Sequence, residues 1–87
     1  MNIYNRSKPS TIPEGAIYVG RGTDWGNPFV MRSEADREDV CNQFELYALW
    51  RLRLEPDWLK PLKGKNLVCH CAPKRCHAEM LMKLANE

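Results

Sequence analysis

Short apolar runs and stretches of helical spacing, separated by polar segments rich in glycine and proline, mark the elements of this chain. Ile3-Tyr4 is a short apolar patch that predicts a first strand. Residues 7–15 carry Pro9, Ser10, Thr11, Pro13 and Gly15 and read as a loop. Ala16-Ile17-Tyr18-Val19 is β-branched and aromatic, a strand that Gly20 ends. From Gly20 to Pro28, three glycines and a proline alternate with polar residues, a loop of special geometry. A long helix follows over about 34–54, with Ser33 as N-cap and Glu34 and Asp36 in the first turn, where acids suit the helix dipole. Its buried stripe is Val40, Phe44, Tyr47 and Ala48, with Cys41 beside it as a small buried hydrophobe. Leu46, Trp50 and Leu54 form a second stripe, so two sides of this helix ask for cover.

Pro56 stops the helix or begins a short one through Trp58 and Leu59, and Pro61 closes it. Lys63-Gly64-Lys65 is a turn, and the run from Asn66 to Cys71 reads as a buried strand. Residues 72–75 make a loop, and a helix from His77 to about Leu84 turns Ala78, Leu81, Leu84 and Ala85 inward. Strands alternating with helices predict an α/β fold: a small three-stranded, partly parallel sheet packed by one long helix and a C-terminal helix, in a single domain over 1–87. In such sheets ligands collect beyond the carboxyl ends of the strands. The glycine-rich loop and the loop before the last helix both follow strands, so parallel neighbouring strands would open them onto one edge.

Composition narrows the class. With 44% hydrophobic and 28% charged residues the chain has the balance of a soluble domain. A net charge of +2 is too small for an electrostatic grip on nucleic acid. No apolar run approaches the ~20 residues of a membrane span, and the first residues lack an apolar signal core, which implies a cytoplasmic protein. Disulfides do not persist in that compartment, so four cysteines in 87 residues call for another role. Three of them crowd into eight positions.

That cluster, Cys69-His70-Cys71-Ala72-Pro73-Lys74-Arg75-Cys76-His77, admits two chemistries. Cys69 and Cys71 share a strand face, His70 takes the other, and the turn brings back Cys76 and His77. Cys69, Cys71, Cys76 and His77 together are a tetrahedral zinc set, and a structural zinc would stabilise so thin a core. Cys-x-Cys and an adjacent Cys-His pair are unusual spacings for one ion. The other chemistry is reactive: Cys76 sits at a helix N-terminus beside Lys74 and Arg75, which favours thiolate, and His77 is its acid or base. The same amides would hold an anion.

The second constellation is Gly20-Arg21-Gly22-Thr23-Asp24-Trp25-Gly26-Asn27-Pro28-Phe29. Arg21 is a planar fork for phosphate or carboxylate, Asn27 offers donor and acceptor to a ligand edge, and Trp25 is suited either to stack on a base or to plug the core. The Gly-x-x-x-x-Gly-Lys-Ser/Thr phosphate loop is absent.

Tyr18-Val19-Gly20-Arg21, Trp25 to Phe29, Gly64 to Pro73 and Cys76-His77 in combination resemble the domain of unknown function 4326 family, over nearly the whole chain. The resemblance implies small proteins of bacteria and bacteriophages. It also implies that Gly20, Arg21, Gly26, Asn27, Pro28, Cys69, Cys71, Pro73, Cys76 and His77 are signature positions, and that the two loops belong together. The chain departs from the family pattern at His70, where an aromatic is frequent, and at Ala78, where glycine is common.

The expectation is therefore a pocket for a small anionic, nucleotide-like ligand, with Arg21, Asn27 and Trp25 binding and Cys76 and His77 catalytic if a reaction occurs. The alternatives are a zinc-stabilised interaction module without turnover and a phage-type inhibitor of a host protein. A homodimer or a host-protein partner would use Trp50 and Trp58.

Overall fold

In the computed structural model, residues 2–70 and 74–87 are described. Three strands, β1 (Ile3–Asn5), β2 (Ile17–Tyr18) and β3 (Leu67–Cys69), form a sheet in the order β1-β3-β2. Both pairings are parallel, with Ile3 and Ile17 flanking Leu67, and Tyr4 and Tyr18 flanking Val68. The central strand is the continuous apolar run, and all three of its residues are buried. A strand covered on both faces needs no polar alternation, which is why this one reads as uniformly apolar. The ladder continues past β2, where the Val19 amide donates to the Val68 carbonyl at 3.0 Å. The expected extension of the third strand to Cys71 lies outside the described residues.

The long helix α1 spans Arg37–Leu54 and is preceded by a 3-10 turn at Glu34–Asp36. Ser33 adopts extended N-cap geometry there but makes no side-chain capping bond. Cys41, Phe44 and Ala48 are the buried residues of α1, while Val40 and Tyr47 are half-buried at its flanks. The second stripe faces outward: Leu46, Trp50 and Leu54 are exposed. A 3-10 turn at Lys60–Leu62 contains Pro61 and buries Leu62. The last helix, α2 (His77–Ala85), buries Ala78, Leu81 and Ala85 and packs on both α1 and β3. One apolar cluster joins sheet and helices through Val19, Phe44, Leu62, Leu67 and Leu81. Each such fully buried large side chain contributes roughly 1.5–3 kcal/mol relative to exposure. Among the described residues no helix is long and apolar enough to cross a membrane.

Trp58 corrects the expectation of a partner surface built from Trp50 and Trp58. It is only 5% exposed and belongs to the core cluster. Its indole N–H donates to the Asp24 carbonyl at 3.1 Å, and the Arg51 guanidinium lies 4.4 Å above its ring. Trp50 alone remains outside, 58% exposed.

Candidate functional site

Because β2 and β3 are parallel neighbours, the segments leaving their carboxyl ends emerge at one edge of the sheet. A cleft of about 310 Å³ opens there. Gly20, Arg21, Asn27 and Phe29 enter it from the first loop, Cys76 and His77 from the start of α2, and Arg37, Val40 and Cys41 from α1. Tyr18, Met31, His70 and Arg75 complete the wall. Of the residues expected to meet, Arg21, Asn27, Cys76 and His77 therefore share one cavity.

The glycine-rich loop is built by its own backbone. Thr23 donates from both its amide and its hydroxyl to the Gly20 carbonyl, at 3.2 and 2.7 Å, and the Gly26 amide donates to the Thr23 carbonyl at 3.1 Å. Two glycines permit close approaches. A Cβ on Gly26 would lie 2.9 Å from the Gly20 carbonyl oxygen, and one on Gly20 would strike the Tyr18 ring. Asn27 closes the loop through Oδ1, which accepts from the Phe29 amide at 2.8 Å. Arg21 is exposed, and among the described residues it has no ion-pair partner.

The loop is fastened from outside by contacts that sequence reasoning missed. Arg51 donates to the Asp24 carbonyl at 2.9 Å and to its carboxylate at 2.6 Å. The Trp25 indole N–H donates to the Trp58 carbonyl at 3.0 Å, and the half-buried Trp25 ring packs against the core. Trp25 is not part of the cleft wall. Its single polar atom is thus engaged on the core side.

His77 is oriented by a residue 58 positions away. Its Nε2 lies 2.7 Å from the Val19 carbonyl oxygen. A carbonyl can only accept, so Nε2 carries the proton and donates. In the neutral ring Nδ1 is then the bare nitrogen, and it sits 3.3 Å from Cys76 Sγ, placed to accept from the thiol. The edge of the ring meets Phe44, centroid to centroid 5.1 Å. Burial holds the imidazole below its ordinary value of 6.5, and the bond to Val19 only partly offsets this.

Cys76 is the N-cap of α2 and is buried, 5% exposed. Its sulfur accepts from the third amide of the helix, while the Glu79 carboxylate accepts from the Cys76 amide at 2.8 Å. This is a capping box with cysteine in the place of serine. The Cys-x-x-Glu spacing was the signal for it in the sequence.

Arg37, which the sequence did not point to, and Arg75 are held by acids outside the cleft. Arg37 makes a two-pronged pair with Glu34 at 2.9 and 2.8 Å and donates to the Arg75 carbonyl at 2.8 Å. Hydrogen bonds from Arg37 and Lys74 push the Glu34 carboxyl down to about 2, so it stays anionic and anchors both cations. Arg75 pairs with Glu38 and donates to Asn42. The exposed His70 stands edge-on to Tyr18 at 5.8 Å, and Arg6 lies 4.5 Å from the Tyr18 ring on that wall. His70 thus joins the rim of the cleft.

The zinc set requires Cys71, which lies outside the described residues. Cys69 is wholly buried in β3, and the ring nitrogens of His77 face Val19 and Cys76. Among the described residues no three His, Cys, Asp or Glu side chains cluster as a metal site.

Comparison with known proteins adds a family. A family model described as a domain of unknown function (DUF4326) matches residues 3–87. A curated relative, the uncharacterized 12.4 kDa protein in the nrdA-td intergenic region of Enterobacteria phage T4, is 32% identical over 73 residues. That match covers 80% of this chain and 67% of the phage protein. No solved structure matches. With that match spanning residues 3–87, the chain belongs to the domain of unknown function 4326 family.

Proposed function

We infer that the cleft binds a small anionic, nucleotide-like ligand, with Cys76 and His77 as the reactive pair if the ligand is processed. The observation that carries this reading is the charge of the wall. It contains Arg21, Arg37 and Arg75 and, among the described residues, no aspartate or glutamate. Arg37 and Arg75 are partly neutralised by their glutamates, whereas Arg21 keeps its whole fork for a ligand. Between the arginines the lining is apolar and aromatic, from Tyr18, Phe29, Met31 and Val40. An apolar slot with a few polar groups is the usual form of a small-molecule site, and 310 Å³ falls within its size range. Asn27 lines the cleft, and with its Oδ1 engaged by the Phe29 amide its side-chain amide nitrogen is the group it offers to the ligand's polar edge.

The Cys76–His77 geometry supports the reactive version. The neutral imidazole presents its bare nitrogen to the thiol, and Val19 keeps that tautomer in place. The thiol proton passes to Nδ1 as sulfur attacks an electrophilic carbon of the ligand, and the same proton then leaves with the departing group. The helix amide that bonds the sulfur stabilises the transient thiolate.

Binding is tested by titrating the protein with a panel of nucleoside monophosphates and with inorganic phosphate. Saturable binding is expected, weakened about 10–100-fold by Arg21→Met, the worth of a charge-assisted pair. Absence of saturable binding across the panel refutes the ligand. The reactive pair is tested separately by alkylation. Cys76 should label faster than an ordinary thiol at neutral pH and lose that excess in His77→Ala. Labelling at the ordinary rate refutes the chemistry while leaving the binding result standing.

A further inference from the structure

The cleft uses one side of α1, and the opposite side is unexplained. Leu46, Leu49, Trp50 and Leu54 are 71%, 46%, 58% and 64% exposed. At 100° per residue Leu46, Trp50 and Leu54 fall on one line down the helix, with Leu49 at its edge. Together they leave on the order of 500 Å² uncovered, near the upper end of what monomers tolerate. The stripe also ends in opposite charges. Asp39 lies at its N-terminal end and Arg53 at its C-terminal end. Both are exposed, and among the described residues neither has an ion-pair partner. Asn42 and Gln43 complete the border.

We propose that the occupant of this face is a second copy of the chain, its α1 lying antiparallel to the first across a two-fold axis. The charge pattern selects both the partner and the direction. With Trp50 of one protomer opposite the partner's Leu46, Arg53 falls opposite the partner's Gln43 and about one 5.4 Å turn from the partner's Asp39, within reach of its side chain. The two-fold axis repeats the pair at the other end. A parallel arrangement would stack Asp39 on the partner's Asp39, set Arg53 against the partner's Arg53 and align the helix dipoles, all repulsive. Helix against helix, the apolar stripe and its polar border approach the roughly 800 Å² per partner of a specific interface. The cleft lies on the other side of α1, so the dimer leaves it open and does not depend on the ligand reading.

Sedimentation equilibrium over a wide concentration range tests this. The wild-type chain should move from 10.1 kDa toward twice that mass as concentration rises. Trp50→Arg should remain monomeric with an unchanged circular dichroism spectrum, since the residue is exposed. Asp39→Arg and Arg53→Asp should each weaken the dimer about tenfold, because the axis doubles every lost pair, and the double reversal should restore it. A monomer at every concentration overturns the proposal and leaves the stripe to a different protein. Association that survives Trp50→Arg, or a double reversal as weak as the single ones, overturns the antiparallel pairing.

Discussion

Replacing Arg51 by methionine keeps the aliphatic stem and removes the guanidinium that ties the Arg21-bearing loop to α1. Four hydrogen-bonding partners are lost: the Asp24 carbonyl at 2.9 Å, the Asp24 carboxylate at 2.6 Å, Glu55 at 2.8 Å and the Tyr47 hydroxyl at 3.0 Å. The cation over the Trp58 ring at 4.4 Å goes as well. The two carboxylates are more than half exposed, so their pairs contribute at most about 1 kcal/mol each. The charged donor on the Asp24 carbonyl and the cation–π contact are better shielded, since the Arg51 side chain is 16% exposed, and add about 1 kcal/mol each. Methionine recovers part of the ring contact, and Trp58 still donates to the Asp24 carbonyl. The expected net loss is about 2 kcal/mol by urea unfolding, with an unchanged m-value. Lys60→Met is the control. It removes an ion pair to Asp57 whose members are 76% and 78% exposed, and should cost less than about 0.5 kcal/mol. Arg51→Met should also speed hydrogen exchange at the Thr23 and Gly26 amides and weaken nucleotide binding, although Arg51 is not in the cleft. A cost no larger than the control's would refute the idea that Arg51 positions the loop.

Two further outcomes follow from the same site. Gly26→Ala places a methyl 2.9 Å from the Gly20 carbonyl oxygen and 3.3 Å from the Arg21 Cα, so the backbone must move; it should cost about 1–3 kcal/mol in urea unfolding and reduce affinity through displacement of Arg21. His77 should make stability fall on acidification. Its folded-state value is depressed by burial, so below pH 6.5 the unfolded chain takes up a proton that the folded chain refuses, with a slope of at most about 1.4 kcal/mol per pH unit until the folded ring also protonates. Above pH 6.5 both states are neutral and the contribution vanishes. Thermal melts of His77→Gln should lack this slope, and an equal slope in the variant would refute the assignment.

Local chemistry along the chain was enough for the architecture and the neighbourhood of the site. Short apolar, β-branched runs marked the strands and the 3.6-residue period marked the helices, because a strand covered on both faces is apolar throughout while a helix buries one face. The glycines and proline from Gly20 to Pro28 marked a loop whose geometry only such residues permit, and the Cys-His cluster marked the start of α2. The tertiary structure decided everything that joins residues distant in sequence. It chose the His77 tautomer through Val19, turned Trp25 and Trp58 inward, sent Leu46 and Trp50 outward, and brought Arg37 and Arg75 into the cleft. Periodicity tells which residues of one element share a face. Which face meets the core, and which polar atom it meets there, depends on long-range packing and on satisfying each buried donor, and neither condition is written in any single stretch of chain.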